Sequence, residues 1–367
     1  MEAGFEGTVF LATEAIGLRG TSILTVNIAR ELARRGVKLA LVTATEEFFR
    51  EATDGKVELL AHKGLTSWAL RAPAGKLIAR AAKERKAAVL HVLGAGRARF
   101  WAGVARAAGC PLILTATSFV RGQIWTKKLR ESGARVLALS EAIRADLVTK
   151  GKVPKEMVKI LRSGVDCTAA APSQCNEQEA EHMPVIATMG PLEESKGLTT
   201  FLQATQKLAR RKIDFQALLI GSGPLEGELR TLRAKLDIMD RVVFAPGNAG
   251  YGEMLAGIDV FVLPSEEQAL GQTMLEAMGR GKPVVASGVG GIYSVVTDRE
   301  QGLIVKSEDA DDLAEAIAKL LADGELRKSM GRAARKRVCE EFRIEDTADA
   351  LLAVYRESAG KARRTAG

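Results

Sequence analysis

The stretch VFVLPSEEQALGQTMLEAMGRGKPVVASGVGG, Val260 to Gly291, decides how the chain folds. Four apolar residues, Val260 to Leu263, stop at Pro264, as a short buried strand does. An irregular loop follows and carries Ala269-Leu270-Gly271-Gln272. The pattern then predicts a helix beginning near Thr273, and Pro283 to Ala286 reads as a second buried strand. Strand, loop, helix and strand in that order form the unit of a parallel sheet. The loop offers free backbone donors, and Glu276 lies on the helix's first turn or just beyond. Donors and a carboxylate directed to one place suit a ligand rich in hydroxyls.

The same alternation extends outward. In the second half, strands are predicted at Pro184–Met189, Phe215–Ile220 and Val242–Phe244. Helices are predicted at Leu198–Arg210, Leu225–Leu236 and Asp311–Leu321. In the first half, Gly7–Ala12, Val37–Thr43, Ala87–Leu93, Pro111–Thr115 and Arg135–Leu139 read as strands. Thr21–Arg35 reads as a helix with an apolar stripe at Ile23, Val26, Ile28 and Leu32. Residues 166–183, polar and poor in large apolar side chains, interrupt the pattern and read as a linker. The expectation is an α/β chain of two doubly wound, Rossmann-like domains, residues 1–165 and 184–337. Residues 338–367 supply a last helix over Ile344–Glu357 and a basic tail. Such domains face each other across a cleft at the carboxyl ends of their strands, where ligands bind.

Composition narrows the class. The 367 residues include 47% hydrophobic but only 5% aromatic side chains, an aliphatic balance that suits two α/β cores. No apolar run approaches a membrane span, and the acidic start, Met1 to Gly7, does not read as a signal peptide. Four scattered cysteines read as reduced thiols of a cytoplasmic protein. Three distant histidines make no metal site. Residues 1–165 hold 28 Lys+Arg against 14 Asp+Glu, while the remainder holds 25 against 31. The basic half suits an anionic partner, or else solvated helix faces rich in arginine.

Two short motifs each carry two readings. Gly221-Ser222-Gly223-Pro224 joins a strand to a helix, where glycines let backbone N–H groups approach an anion; a tight turn needs glycine in any case. Lys196, before Gly197 and the helix at Leu198, pairs with phosphate or is an exposed surface lysine.

Taken in order, the motifs resemble the retaining glycosyltransferases of family 4, which have the GT-B fold. KG at Lys196, GSGPL at Gly221, VFVLPS at Val260, LEAMGRGKPVVAS at Leu275, VGGI at Val289 and GRAARKRV at Gly331 carry the likeness. NIARELARRG at Asn27 and SGVD at Ser163 extend it into the first half. The resemblance implies transfer of a sugar, with retention, from a nucleoside-diphosphate sugar to a hydroxyl acceptor, in glycan, lipopolysaccharide or glycolipid synthesis. It implies that Lys196 neutralises the diphosphate, that Glu276 binds the ribose, and that backbone N–H groups of Leu270, Gly271 and Gln272 hold sugar and phosphate. Gly221 and Gly223 would lie along the donor, and Gly20 would let the first domain close on the phosphates.

Several positions depart from the family pattern. The residue eight before Glu276, usually glutamate, is Gln268, which loses a charge-assisted hydrogen bond. Pro191 replaces an arginine that usually helps Lys196, and Arg19, at a usual glycine, is expected to reach the phosphates instead. Thr117 stands where many members place a histidine, and Ser163 where they place an asparagine. The catalytic places thus fall at Gln268, Lys196 and Thr117. These departures keep a second reading open, a non-catalytic nucleotide-sugar-binding or partner-binding protein on the same fold.

No cofactor or metal is implied. Asp309-Ala310-Asp311 imitates a metal motif but reads as a helix cap. The acceptor is left open between an anionic and a lipid-linked glycan. Basic segments Arg97–Arg106 (with Phe100 and Trp101) and Arg121–Arg130 (with Trp125) suggest peripheral contact at the inner face of the membrane, or core aromatics beside solvated charge. No nucleic-acid module is recognisable.

Overall fold

The computed structural model describes residues 5–14, 17–168, 182–247 and 250–366, with side chains through residue 360. Most of the segment read as a linker lies outside the described residues. The chain divides into two compact units, Met1–Ile16 with Thr21–Gly164 and Ile344–Gly367, and Gly17–Gly20 with Val165–Arg343.

The first unit contains β1 (Thr8–Thr13), α1 (Gly20–Arg34), β2 (Lys38–Thr43), α2 (Glu47–Ala52), β3 (Glu58–Ala61), α3 (Arg71–Glu84), β4 (Ala87–Leu93), α4 (Ala98–Ala108), β5 (Leu112–Ala116), α5 (Lys127–Glu131), β6 (Arg135–Ala138), α6 (Glu141–Thr149) and β7 (Val158–Ile160). Its sheet has the order β3-β2-β1-β4-β5-β6-β7, with every pair parallel. Val9 to Ala12 of β1 are wholly buried because helices cover both faces.

The second unit contains β8 (Val185–Met189), α7 (Leu198–Arg210), β9 (Gln216–Ile220), α8 (Glu226–Lys235), β10 (Val242–Ala245), α9 (Tyr251–Ala256), β11 (Val260–Leu263), α10 (Gln272–Gly279), β12 (Val284–Ser287), β13 (Gly302–Val305), α11 (Ala310–Ala322) and α12 (Gly324–Glu341). Its parallel sheet has the order β10-β9-β8-β11-β12-β13. Phe201, Leu208, Phe215, Leu219, Ile317 and Leu320 are among the side chains of one core on this sheet.

The last helix, α13 (Ile344–Ala366), groups with the first unit. Tyr355 fixes it there. Its hydroxyl lies 2.7 Å from His91 Nδ1, and His91 Nε2 lies 2.7 Å from Thr115 Oγ1. Full burial pushes the His91 pKa down to about 3, so the ring is a neutral link between β4, β5 and α13.

Three sequence expectations change. Cys167 and Cys339 form a disulfide instead of remaining thiols. The pairing follows from packing. Val165 N–H donates to Phe342 carbonyl O at 2.8 Å, and Arg335 donates to Cys167 carbonyl O at 3.1 Å, bringing together residues 172 apart. Cys110 stays a buried thiol whose pKa burial raises to about 11, and Cys175 lies outside the described residues. Second, Trp101 and Trp125 are buried, so neither basic segment presents an indole. The Trp101 Nε1–H donates to Glu14 at 2.8 Å. Third, the final helix runs past Glu357 to Ala366. Asp309 caps α11, accepting from the N–H groups of Asp311 and Asp312. Among the described residues no helix is long and apolar enough to cross a membrane.

Candidate active site

Strand order in the second sheet reverses between β8 and β11, where parallel sheets open a crevice at their carboxyl ends. The chain leaving β8 turns through a 3₁₀ segment, Glu194–Lys196, into α7. Gly197 lets it pass. Its φ is 62°, and a Cβ there would stand 1.8 Å from the carbonyl oxygen of Pro264, just after β11. The N–H of Glu266 donates to the Ser195 carbonyl at 3.0 Å. These contacts carry Lys196 over the end of β11.

Lys196 Nζ lies 3.4 Å from Gln268 Oε1, a long contact, and Ser265 Oγ donates to that same oxygen at 3.1 Å. The ammonium is part-buried. Burial lowers its pKa below that of ordinary lysine, against the opposing pull of Glu193 and Glu267, while Arg19 adds to the lowering. A small depression beside it is lined by Gly190, Pro191, Leu192, Lys196, Leu263 and Ser265.

Past β11 the loop reaches Gly271, whose φ of 98° starts α10 with no side chain capping it. The first turn of α10 therefore presents Gln272 at a helix N-terminus, where anions are favoured. All eight residues of α10 are buried. Glu276 sits one turn on. Arg280 Nη1 donates to Glu276 Oε2 at 2.9 Å and to the Glu276 carbonyl at 2.9 Å, and Gln272 Nε2 lies 3.5 Å from Glu276 Oε1.

The segment Gly17–Gly20 belongs to this unit as well. Leu18 is buried, and a Cβ on Gly20 would come 3.1 Å from Cβ of Gln272. Arg19 does not stand free for a phosphate, since its Nη2 is 2.6 Å from Glu193 Oε1. Gly221 and Gly223 have a packing reason of their own. A Cβ at Gly221 would stand 1.9 Å from the Gly190 oxygen, and one at Gly223 2.4 Å from the Leu192 oxygen.

Lys196, Gln268, Leu270, Gly271, Gln272 and Glu276 thus all lie at the carboxyl edge of the second sheet, with Gly221 on the neighbouring turn. Thr117 belongs to the first unit, where its hydroxyl accepts from Thr21 Oγ1 at 2.9 Å.

Two family models divide the chain: glycosyltransferase family 4 matches residues 18–169, and glycosyl transferases group 1 matches residues 173–337. The chain belongs to the family 4 glycosyltransferases. The alpha-D-kanosaminyltransferase of Streptomyces kanamyceticus is 28% identical over 61% of this chain and 60% of its own length. The D-inositol 3-phosphate glycosyltransferase of Saccharomonospora viridis is 31% identical over 63% of this chain and 57% of its own. The matched region therefore spans less than two thirds of these relatives. Anabaena Alr3699/HepE, solved in complex with UDP and glucose, superimposes with a TM-score of 0.79 at 18% identity, covering 96% of this chain and 100% of that one. The shared architecture is GT-B.

In this family 4 member, three residues of the site were not singled out from sequence: Glu193, Ser265 and Arg280. Arg280 was legible, since it stands four residues after Glu276 on a helix, the spacing at which side chains meet. Glu193 and Ser265 carry no local signal, because their partners Arg19 and Lys196 arrive from other elements.

Proposed function

We propose that the chain is a retaining glycosyltransferase that moves a sugar from a nucleoside-diphosphate sugar to a hydroxyl acceptor without a bound metal. The observation that carries this reading is the convergence of the part-buried Lys196 ammonium, the uncapped N-terminus of α10 and the buried Glu276 carboxylate at one sheet edge. A diphosphate matches the first two and a ribose diol matches the third. Family membership, and the UDP and glucose held by the Anabaena protein, support it.

The chemistry follows from that placement. As the bond from the anomeric carbon to the diphosphate oxygen breaks, charge grows on the phosphate, and Lys196 with the α10 N–H groups stabilises it. The acceptor hydroxyl bonds to the same face of the anomeric carbon, and its proton passes to the departing phosphate. Gln268, whose Oε1 accepts from Ser265, serves in this reading as an acceptor for a sugar hydroxyl. The net +14 of residues 1–165 supports an anionic acceptor, a lipid-linked glycan included.

Gln268 at a usual carboxylate and Pro191 at a usual arginine favour a second reading, in which the site binds the donor without turnover. Incubation with UDP-, GDP- and ADP-sugars in chelator, with and without acceptors, separates the two. Release of nucleoside diphosphate, an α-linked product from an α-linked donor, and loss of both in Lys196→Ala support transfer. Donor binding with no release under any acceptor supports the second reading.

A further inference from the structure

Of the three tryptophans, Trp101 and Trp125 are buried, whereas Trp68 is 86% exposed. It is not isolated. Leu70, two residues on, and Leu77 are each 55% exposed. Leu70 directly precedes α3, and Leu77 lies seven residues later, two turns along the same stripe. The opposite face of α3 buries Ala74, Ile78, Ala79 and Ala82, and Gly75 admits the ring of Phe100 from α4. The helix is thus seated by Ile78 among small residues and leaves Leu77 on its outer face, with Leu70 exposed at its N-cap.

The charge on this face has one sign. Residues 62–86 contain seven Lys and Arg and a single acid, Glu84, which is paired with Arg80. Lys76 and Lys83 are exposed beside the apolar stripe. An indole and leucines flanked by lysines match an interface that is oily below and anionic above. A second copy of this face would meet its own charge, which argues against self-association through it.

We propose that the Trp68–Lys83 face docks the protein on an anionic lipid surface. Trp68, Leu70 and Leu77 enter the headgroup boundary, and Lys76, Arg80 and Lys83 meet the headgroups. This inference stands independently of the donor site.

The test is co-flotation of the full chain with vesicles of phosphatidylcholine alone and of phosphatidylcholine with phosphatidylglycerol, followed by tryptophan emission. Binding to the anionic vesicles only, weakened by salt and accompanied by a blue shift, is expected. Trp68→Ala with Leu77→Ala should weaken binding by about tenfold or more. Lys76→Glu with Lys83→Glu should weaken it with Trp68 still in place. All four substitutions are on exposed positions, and circular dichroism checks that the fold is kept. A separate Trp68→Phe variant that floats as the wild type but shows no blue shift assigns the spectral change to Trp68. No flotation with either vesicle overturns the proposal. So does flotation unchanged in both double variants, or an apolar double variant that instead abolishes a concentration-dependent dimer.

Discussion

Two arginine–carboxylate pairs mark the two ends of the candidate donor site, and they differ in kind. Arg280 and Glu276 lie one turn apart on α10 with 13% and 4% of their side chains exposed. Arg19 and Glu193 come from distant parts of the chain, with 38% and 35% exposed. The first pair is fixed by its helix and by burial, so removing one partner strands a charge away from water. The second is half-solvated, and water screens it until it contributes little to stability. Under the proposed function, the ribose end is therefore preorganised. At the other end Arg19 already holds the Glu193 carboxylate, and under the proposed function a donor diphosphate would have to take its place.

This contrast can be broken by substitution. The largest effect is expected at Lys196, which neither pair can replace: Lys196→Ala should lower turnover by about a hundredfold or more, measured as nucleoside diphosphate released. Arg280→Ala should destabilise the protein by about 3 kcal/mol in chemical denaturation and raise the KM for the donor. If its stability is unchanged, the ribose end is not built on this pair. Glu193→Gln should leave stability within about 0.5 kcal/mol of wild type and tighten the donor several-fold, whereas Arg19→Ala should weaken it by about tenfold. Equal effects of Arg280→Ala and Arg19→Ala on stability would erase the distinction.

The smallest effect concerns pH. Burial lowers the Lys196 pKa, and only its ammonium form attracts a diphosphate. Donor affinity should accordingly be full below that depressed pKa and fall as pH rises through it, at a lower pH than an exposed lysine would allow. Bound diphosphate favours the ammonium, so binding above that pKa should take up a proton, visible as buffer-dependent heat.

How much of this was legible in the sequence depended on where each signal resides. Val260–Leu263 and Leu198–Arg210 form a strand and a helix at the limits their patterns predicted, because both are apolar runs or stripes that bury fully. β3 and β7 went unread; they are short edge strands, and Glu58, Lys159 and Ile160 remain exposed. α3 lacks the usual signal because its buried face is mostly alanine and glycine while its leucine points outward. The residues singled out between Lys196 and Glu276 lie together at one sheet edge. Long-range partners were invisible in the sequence. Glu193 meets Arg19 across 174 positions and Cys167 meets Cys339 across 172, and neither pairing has a local pattern.

The most direct test of a nucleotide-sugar site at the carboxyl edge of the second sheet is calorimetric titration of UDP, GDP and ADP into the wild type, Glu276→Ala and Lys196→Ala. One nucleoside diphosphate should bind at a single site, with affinity reduced by about tenfold or more in each variant. Absence of binding by all three, or binding unchanged in both variants, would contradict the account.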